Sequence, residues 1–181
     1  MVANHNSHAD GVTLMTSVPV DRLAITYPVA AEDYFGKSKL SAFLSWFLIN
    51  LLLIPRKRDE KNPKRDPIFI LDSYLKNGKS LIFFPEGSRG KAGKIQTFKK
   101  GLGHLMKENM NIPIIPVYLE GIGRVLPKGN KIMLPGITKI YFGNPIFLEN
   151  ESVEEIVEKA ENAVHDLKNR CDNNNSSNLR E

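Results

Sequence analysis

The chain has 181 residues, 41% of them hydrophobic and 25% charged, with a formal charge of +5; this is ordinary globular composition and excludes a wholly disordered chain. A single cysteine, Cys171, excludes an intrachain disulfide framework or a thiolate metal site and fits a reducing compartment, its plainest reading being a free surface thiol. The positive charge is local: Arg56 to Arg65 holds six basic residues against two acidic ones, and Arg89 to Lys100 holds five and no acid, a pattern that suits a phosphorylated ligand, an anionic membrane, a nucleic acid or only solvated loops.

In chain order, apolar runs alternate with helical patterns, which predicts an α/β layered domain. Val2 to Asp10 has neither the basic start nor the apolar core of a signal peptide. Leu23 to Val29 reads as a strand, Lys39 to Ile49 as a helix, and Leu51 to Ile54 as a short buried strand closed by Pro55. Leu40 to Pro55 is the most apolar stretch, yet Ser41, Ser45 and Asn50 interrupt it and it falls short of the ~20 residues that span a bilayer. It is a buried helix running into a strand, or a helix lying in a membrane interface. Asp66-Pro67 and Asn77-Gly78 bracket a helix over Pro67 to Lys76. Ser80 to Phe84 reads as a strand, Phe98 to Glu108 as a helix, Ile112 to Leu119 as a strand roughened by Pro113 and Pro116, and Lys139 to Phe142 as a further strand. Ser152 and Glu155 form a capping box. It opens a last helix with an apolar stripe of Val153, Ile156, Val157, Ala160, Val164 and Leu167. Residues 1–170 make one domain, and 171–181 a disordered polar tail.

Two segments could carry chemistry. Asn4-His5-Asn6-Ser7-His8-Ala9-Asp10 places a carboxylate five positions after a histidine. On a helix, residues five apart point roughly 140° away from each other. His5 and Asp10 therefore meet only if His5 sits in a turn ahead of a helix that Ser7 caps and Asp10 begins. A carboxylate so placed would fix the imidazole tautomer and free the other ring nitrogen to take a proton from an alcohol. The plain alternative is that Asp10 only caps the helix and His5 is a polar turn residue. His8 shares no helical face with Asp10 and fits the base role less well.

Phe84-Pro85-Glu86-Gly87-Ser88-Arg89 follows a hydrophobic strand, and open α/β sheets bind ligands at the C-terminal ends of their strands. Gly87 allows close approach to an anion, Ser88 can donate a hydrogen bond, and Arg89 can fork two donors onto a phosphate. Glu86 only accepts, so it suits a substrate hydroxyl or a neighbouring arginine. The plain alternative is a surface turn. Arg56, after Ile54-Pro55, is a further candidate anion contact. Ile112 to Val117 holds no reactive group and is a core strand or a wall for an acyl chain.

In this order the motifs resemble those of the glycerolipid acyltransferases, the 1-acylglycerol-3-phosphate acyltransferases among them. The resemblance rests on Asn4, His5, Ser7 and Asp10; on Ile54 and Arg56; on Phe84 to Arg89 with Phe98-Lys99-Lys100-Gly101; and on the proline-bearing strand Ile112 to Val117. It runs from about Val2 to about Pro145. It implies a mixed, largely parallel central sheet flanked by helices, with the usual N-terminal helices and strand missing ahead of Asn4. It implies His5 as general base oriented by Asp10, and Arg56, Glu86, Gly87, Ser88 and Arg89 as residues that bind the acceptor. Its reaction moves a fatty acyl chain from an acyl thioester, on coenzyme A or acyl carrier protein, to the hydroxyl of 1-acylglycerol 3-phosphate or a related lysophospholipid. No cofactor or metal is implied beyond that thioester co-substrate. An anionic membrane surface is the expected partner and the cytoplasmic inner face the expected location. Nucleic acid is not expected, since Phe98 is the only aromatic in the basic runs. The alternative is a non-catalytic acyl-lipid-binding or membrane-docking domain derived from such an enzyme.

Overall fold

The computed structural model describes residues 1–35, 50–57, 62–125 and 134–177; the helix expected over Lys39 to Ile49 lies outside them. In chain order the elements are β1 (Val2–Ala3), α1 (Asp10–Met15), α2 (Val20–Leu23), β2 (Thr26–Ala31), α3 (Glu32–Phe35), β3 (Leu52–Ile54), a 3-10 turn (Pro63–Arg65), α4 (Pro67–Lys76), β4 (Ser80–Ile82), α5 (Gly101–Lys107), β5 (Pro116–Glu120), α6 (Ile122–Val125), β6 (Lys139–Phe142) and α7 (Val153–Ser177). They fall into two compact units, Met1–Asp10 with Phe84–Glu181, and Gly11–Phe83.

In the unit that holds both ends of the described chain, β5 is the middle strand. It pairs in parallel with β1, Val2 opposite Pro116 and Ala3 opposite Val117. It pairs antiparallel with β6, from Val117 opposite Phe142 to Glu120 opposite Lys139. The strand expected to be missing before Asn4 is thus present as two residues, both buried. Helix α7 packs on β5 and on α5, burying Ile156, Val157, Ala160, Val164 and Leu167 with Leu102, Leu105 and Met106. The seam between the two helices is close: a Cβ on Gly103 would stand 2.3 Å from the Val153 carbonyl oxygen, so only glycine fits there. Ser152 and Glu155 form the expected capping box, the Ser152 N–H donating to Glu155 Oε2 at 2.7 Å and the Glu155 N–H to Ser152 Oγ at 3.3 Å.

Two expectations fail in this helix. It does not stop at Cys171 but continues through Ser177, so the described part of the expected tail is helical. Cys171 is not a surface thiol; it is fully buried. The reason is spacing. Cys171 stands four residues beyond Leu167 and so extends the apolar stripe by one more turn.

In the other unit β2 is the middle strand, parallel to β3 (Val29 opposite Leu52, Ala31 opposite Ile54) and to β4 (Thr26 opposite Ser80, Pro28 opposite Ile82). Helix α4 lies against β4, with Leu71, Leu75, Leu81 and Ile82 buried. Its bounds are those expected, because both signals are local: the Asp66 carboxylate accepts from the Ile68 N–H at 2.8 Å, and Pro67 opens the first turn.

The α/β class and the predominance of parallel pairing hold; the described strands pair in two groups of three, β1-β5-β6 and β3-β2-β4. The strand expected from Leu23 begins at Thr26, since Val20–Leu23 closes a helical turn. The strand expected from Ile112 begins at Pro116; before it, Ile114 makes only an isolated antiparallel bridge to Ile146, as the flanking prolines dictate. Among the described residues no helix is long and apolar enough to cross a membrane.

Candidate active site

At the C-terminal end of β1 the chain turns sharply before α1, and Asp10 is the centre of that turn. Its Oδ2 accepts from the Asn6 N–H at 2.7 Å, from the Ser7 N–H at 2.8 Å and lies 2.8 Å from His5 Nδ1. Ser7 Oγ accepts from the Ala9 N–H at 3.2 Å, capping the helix start. The His5–Asp10 encounter that helical geometry forbids is therefore achieved by curling the backbone over the carboxylate. Asp10 is fully buried, while the His5 side chain keeps 22% of its exposure. An ionised carboxylate only accepts, so this contact favours the tautomer that carries its proton on Nδ1 and turns a bare Nε2 the other way.

The second segment holds the same histidine from the other side. The His5 N–H donates to Glu86 Oε1 at 2.9 Å, and the Gly90 N–H donates to the His5 carbonyl at 2.8 Å. The Phe84 ring stacks on the imidazole at 4.4 Å and 22°. Glu86 is almost completely buried, and its second oxygen accepts from Gln96 Nε2 at 2.9 Å. Burial raises its carboxyl above the ordinary value, opposed by the hydrogen bonds from the His5 N–H and from Gln96. Both of its oxygens thus accept from the protein, and one of these bonds supports His5.

Gly87 lies at φ +69, the left-handed region that glycine alone enters without strain. Gly87 and Ser88 are exposed and Arg89 is half-buried. The Arg89 charge reaches His8: loss of hydration first, then the positive charges of Arg89 and His5, hold the His8 imidazole below its ordinary value, against an opposing pull from Asp10. Of the expected site residues, His5, Asp10, Glu86, Gly87, Ser88 and Arg89 belong to one unit. Arg56 belongs to the other, where its Nε meets both Asp33 oxygens, at 2.9 and 2.6 Å.

Three amides, Asn4 of the first motif among them, had no role assigned from the sequence, and they complete the framework. Asn4, buried, receives the Leu119 N–H at 2.7 Å and donates to the Leu119 carbonyl at 3.1 Å and to Asn6 Oδ1 at 2.8 Å. Asn6 donates to the Lys91 and Lys94 carbonyls. Gln96 ties Glu86 to the Ser88 carbonyl. Their signal was faint, since amides in a polar loop read as solvent-facing. Ile114 and Val117 are buried core positions. Among the described residues no group of three His, Cys, Asp or Glu is arranged to hold a metal ion.

With that geometry in view, the likenesses are specific. A chloroplastic 1-acyl-sn-glycerol-3-phosphate acyltransferase of Brassica napus is 28% identical over 151 residues, 81% of this chain and 40% of that protein. A second chloroplastic enzyme of that name, from Arabidopsis thaliana, is 27% identical over 80% of this chain and 38% of its own length. The chain therefore spans about two fifths of these relatives. The crystal structure of the 1-acyl-sn-glycerophosphate acyltransferase PlsC from Thermotoga maritima superposes with a TM-score of 0.66 at 24% identity, over 93% of this chain and 64% of that one, a shared fold. The profile of the family described as Acyltransferase matches residues 1–120, from β1 through the His5–Asp10 turn and the Glu86 loop to the end of β5, and by that match this chain belongs to the acyltransferase family.

Proposed function

We propose that the chain carries an acyl-transfer centre that moves a fatty acyl group from an acyl thioester, on coenzyme A or acyl carrier protein, to the hydroxyl of 1-acylglycerol 3-phosphate or a related lysophospholipid. The observation that supports it most is the 2.8 Å approach of His5 Nδ1 to the buried Asp10 carboxylate, which leaves Nε2 basic in a ring stacked on Phe84. In the proposed step the acceptor hydroxyl attacks the thioester carbonyl while Nε2 takes its proton. Asp10 stabilises the imidazolium as it forms. The tetrahedral intermediate then breaks its carbon–sulfur bond, and the imidazolium returns the proton to the leaving thiolate. One carbon–oxygen bond is made, one carbon–sulfur bond is broken, and His5 ends as it began.

Arg89, with Gly87 and Ser88 beside it, is the proposed seat of the acceptor phosphate; its planar fork matches a phosphate better than lysine would. Arg56 is assigned to acceptor binding on the motif match alone. The two basic runs suit peripheral attachment to an anionic membrane face.

The test is thiol release by the purified 181-residue chain, with and without lysophosphatidate. Release that requires the acceptor supports the proposal; acceptor binding without release in any donor–acceptor pair overturns it in favour of a lipid-binding domain. The membrane part has its own arm. Binding to anionic vesicles should weaken steeply as salt rises, and salt-insensitive binding would overturn it.

A further inference from the structure

Lys99 and Lys100 are indistinguishable in the sequence, two lysines in one basic run. The structure separates them. Lys100 Nζ sits 2.7 Å from Glu154 Oε1, committed to a surface ion pair with α7. Lys99 takes another direction. Its N–H donates to the Pro85 carbonyl at 2.9 Å, fastening it to the loop that carries Glu86 to Arg89. Its side chain then lies along Gly87: a Cβ there would stand 2.8 Å from Lys99 Nζ and 3.1 Å from both Cδ and Cε. Among the described residues, no carboxylate pairs with this ammonium. The glycine of the loop is thus required twice over, by its positive φ and by the lysine that crosses it.

We propose that Lys99 is a phosphate-positioning residue of the acceptor site, its ammonium meeting a phosphomonoester at the exposed backbone of Gly87 and Ser88. This rests on the acceptor reading above. A lysine is apt there because its compact charge on a flexible stem follows a phosphate without a fixed fork, while Arg89 on the same loop supplies the directional pair. A phosphomonoester could reach Lys99 from two sources, the lysophosphatidate acceptor or the 3′-phosphate of coenzyme A. The geometry points to the acceptor, because Lys99 borders the loop that also seats His5.

The experiment uses the full chain with a short-chain lysophosphatidate, the matching monoacylglycerol and an acyl-CoA as probes, each read by calorimetric binding and by thiol release. Lys99→Met should weaken lysophosphatidate binding and raise its KM roughly tenfold, the scale of one lost hydrogen bond to a charged group. It should leave monoacylglycerol and acyl-CoA unchanged. Lys99→Arg should restore most of the affinity, and Lys100→Met should change nothing. Equal affinity of Lys99→Met and the unaltered chain for lysophosphatidate overturns the inference, as does a loss confined to acyl-CoA, a matching loss with Lys100→Met, or no lysophosphatidate binding at all. The two readings fail separately. Lys99-dependent binding without thiol release sinks the transferase reading alone, whereas thiol release with Lys99→Met unimpaired sinks only the role of Lys99.

Discussion

His5 and Arg56 both stand in matched motifs, yet the molecule holds them in opposite ways. His5 is fixed at four points: Nδ1 by Asp10, the N–H by Glu86, the carbonyl by Gly90 and the ring face by Phe84. The two carboxylates that fix it, Asp10 and Glu86, are themselves buried, so water competes little there and the bonds reinforce one another. Arg56 meets Asp33 in an ion pair whose partners are 48% and 58% exposed, an arrangement worth little in stability and readily exchanged for another anion. The difference matches the two kinds of work proposed for them. A general base must be in register before the substrate arrives, because its reach is a single hydrogen bond. A cation that gathers a phosphate gains from a side chain still free to move.

The largest effect that can break this comparison is at His5 itself. His5→Ala should lower turnover on the order of a hundredfold or more, and His8→Ala far less; equal losses would remove His5 from the role of base. Asp10→Asn comes next. It puts an amide N–H where Oδ2 now receives three donors, so both stability and turnover should fall. The stability loss should be about 1–3 kcal/mol by denaturant unfolding, and a variant as stable and active as the parent would show the buried carboxylate to be dispensable.

Glu86→Gln sharpens the comparison through pH. Burial raises the Glu86 carboxyl, so the folded chain keeps this proton to a higher pH than the unfolded chain does. The stability this group contributes is fully present below the ordinary value and is lost as pH rises through the folded one. Thermal unfolding of the parent should therefore show a falling component across that window which Glu86→Gln lacks; parallel profiles would mean that Glu86 titrates like an exposed carboxyl. The smallest stability effect is expected at Arg56→Lys, with a melting temperature nearly unchanged and any penalty confined to the acceptor KM. A drop of several degrees would make Arg56 a structural residue and erase the contrast.

What the sequence made legible was local. Helix Pro67–Lys76 carries its own cap and first-turn proline, Ser152 and Glu155 bond each other three residues apart, and Lys139–Phe142 is a strand between breakers; all three stand where expected. The His5–Asp10 turn was readable for the same reason, since a five-residue spacing admits only one way to meet. Long-range polar bonds were not readable. Nothing in the sequence pairs Asn4 with Leu119, Gln96 with Glu86 or Arg56 with Asp33. Glu86 was expected to accept from a substrate hydroxyl or a neighbouring arginine, and only the fold shows it buried and accepting from the His5 N–H and Gln96. The end of the last helix was misjudged because its asparagines hide the single apolar position, Cys171, that carries the stripe onward.

The discontinuity of the first unit has a consequence for how the site comes into being. Val2 and Ala3 pair with Pro116 and Val117, and the His5 N–H waits for Glu86, eighty-one positions later. A ribosome delivers the histidine more than a hundred residues before β5, the strand that pairs with β1. Contacts of such sequence separation form slowly, because the intervening loop must close before they gain anything. On a nascent chain the His5–Asp10 turn is therefore made well before its partners, and a product released before β5 has emerged would carry the histidine without its seat.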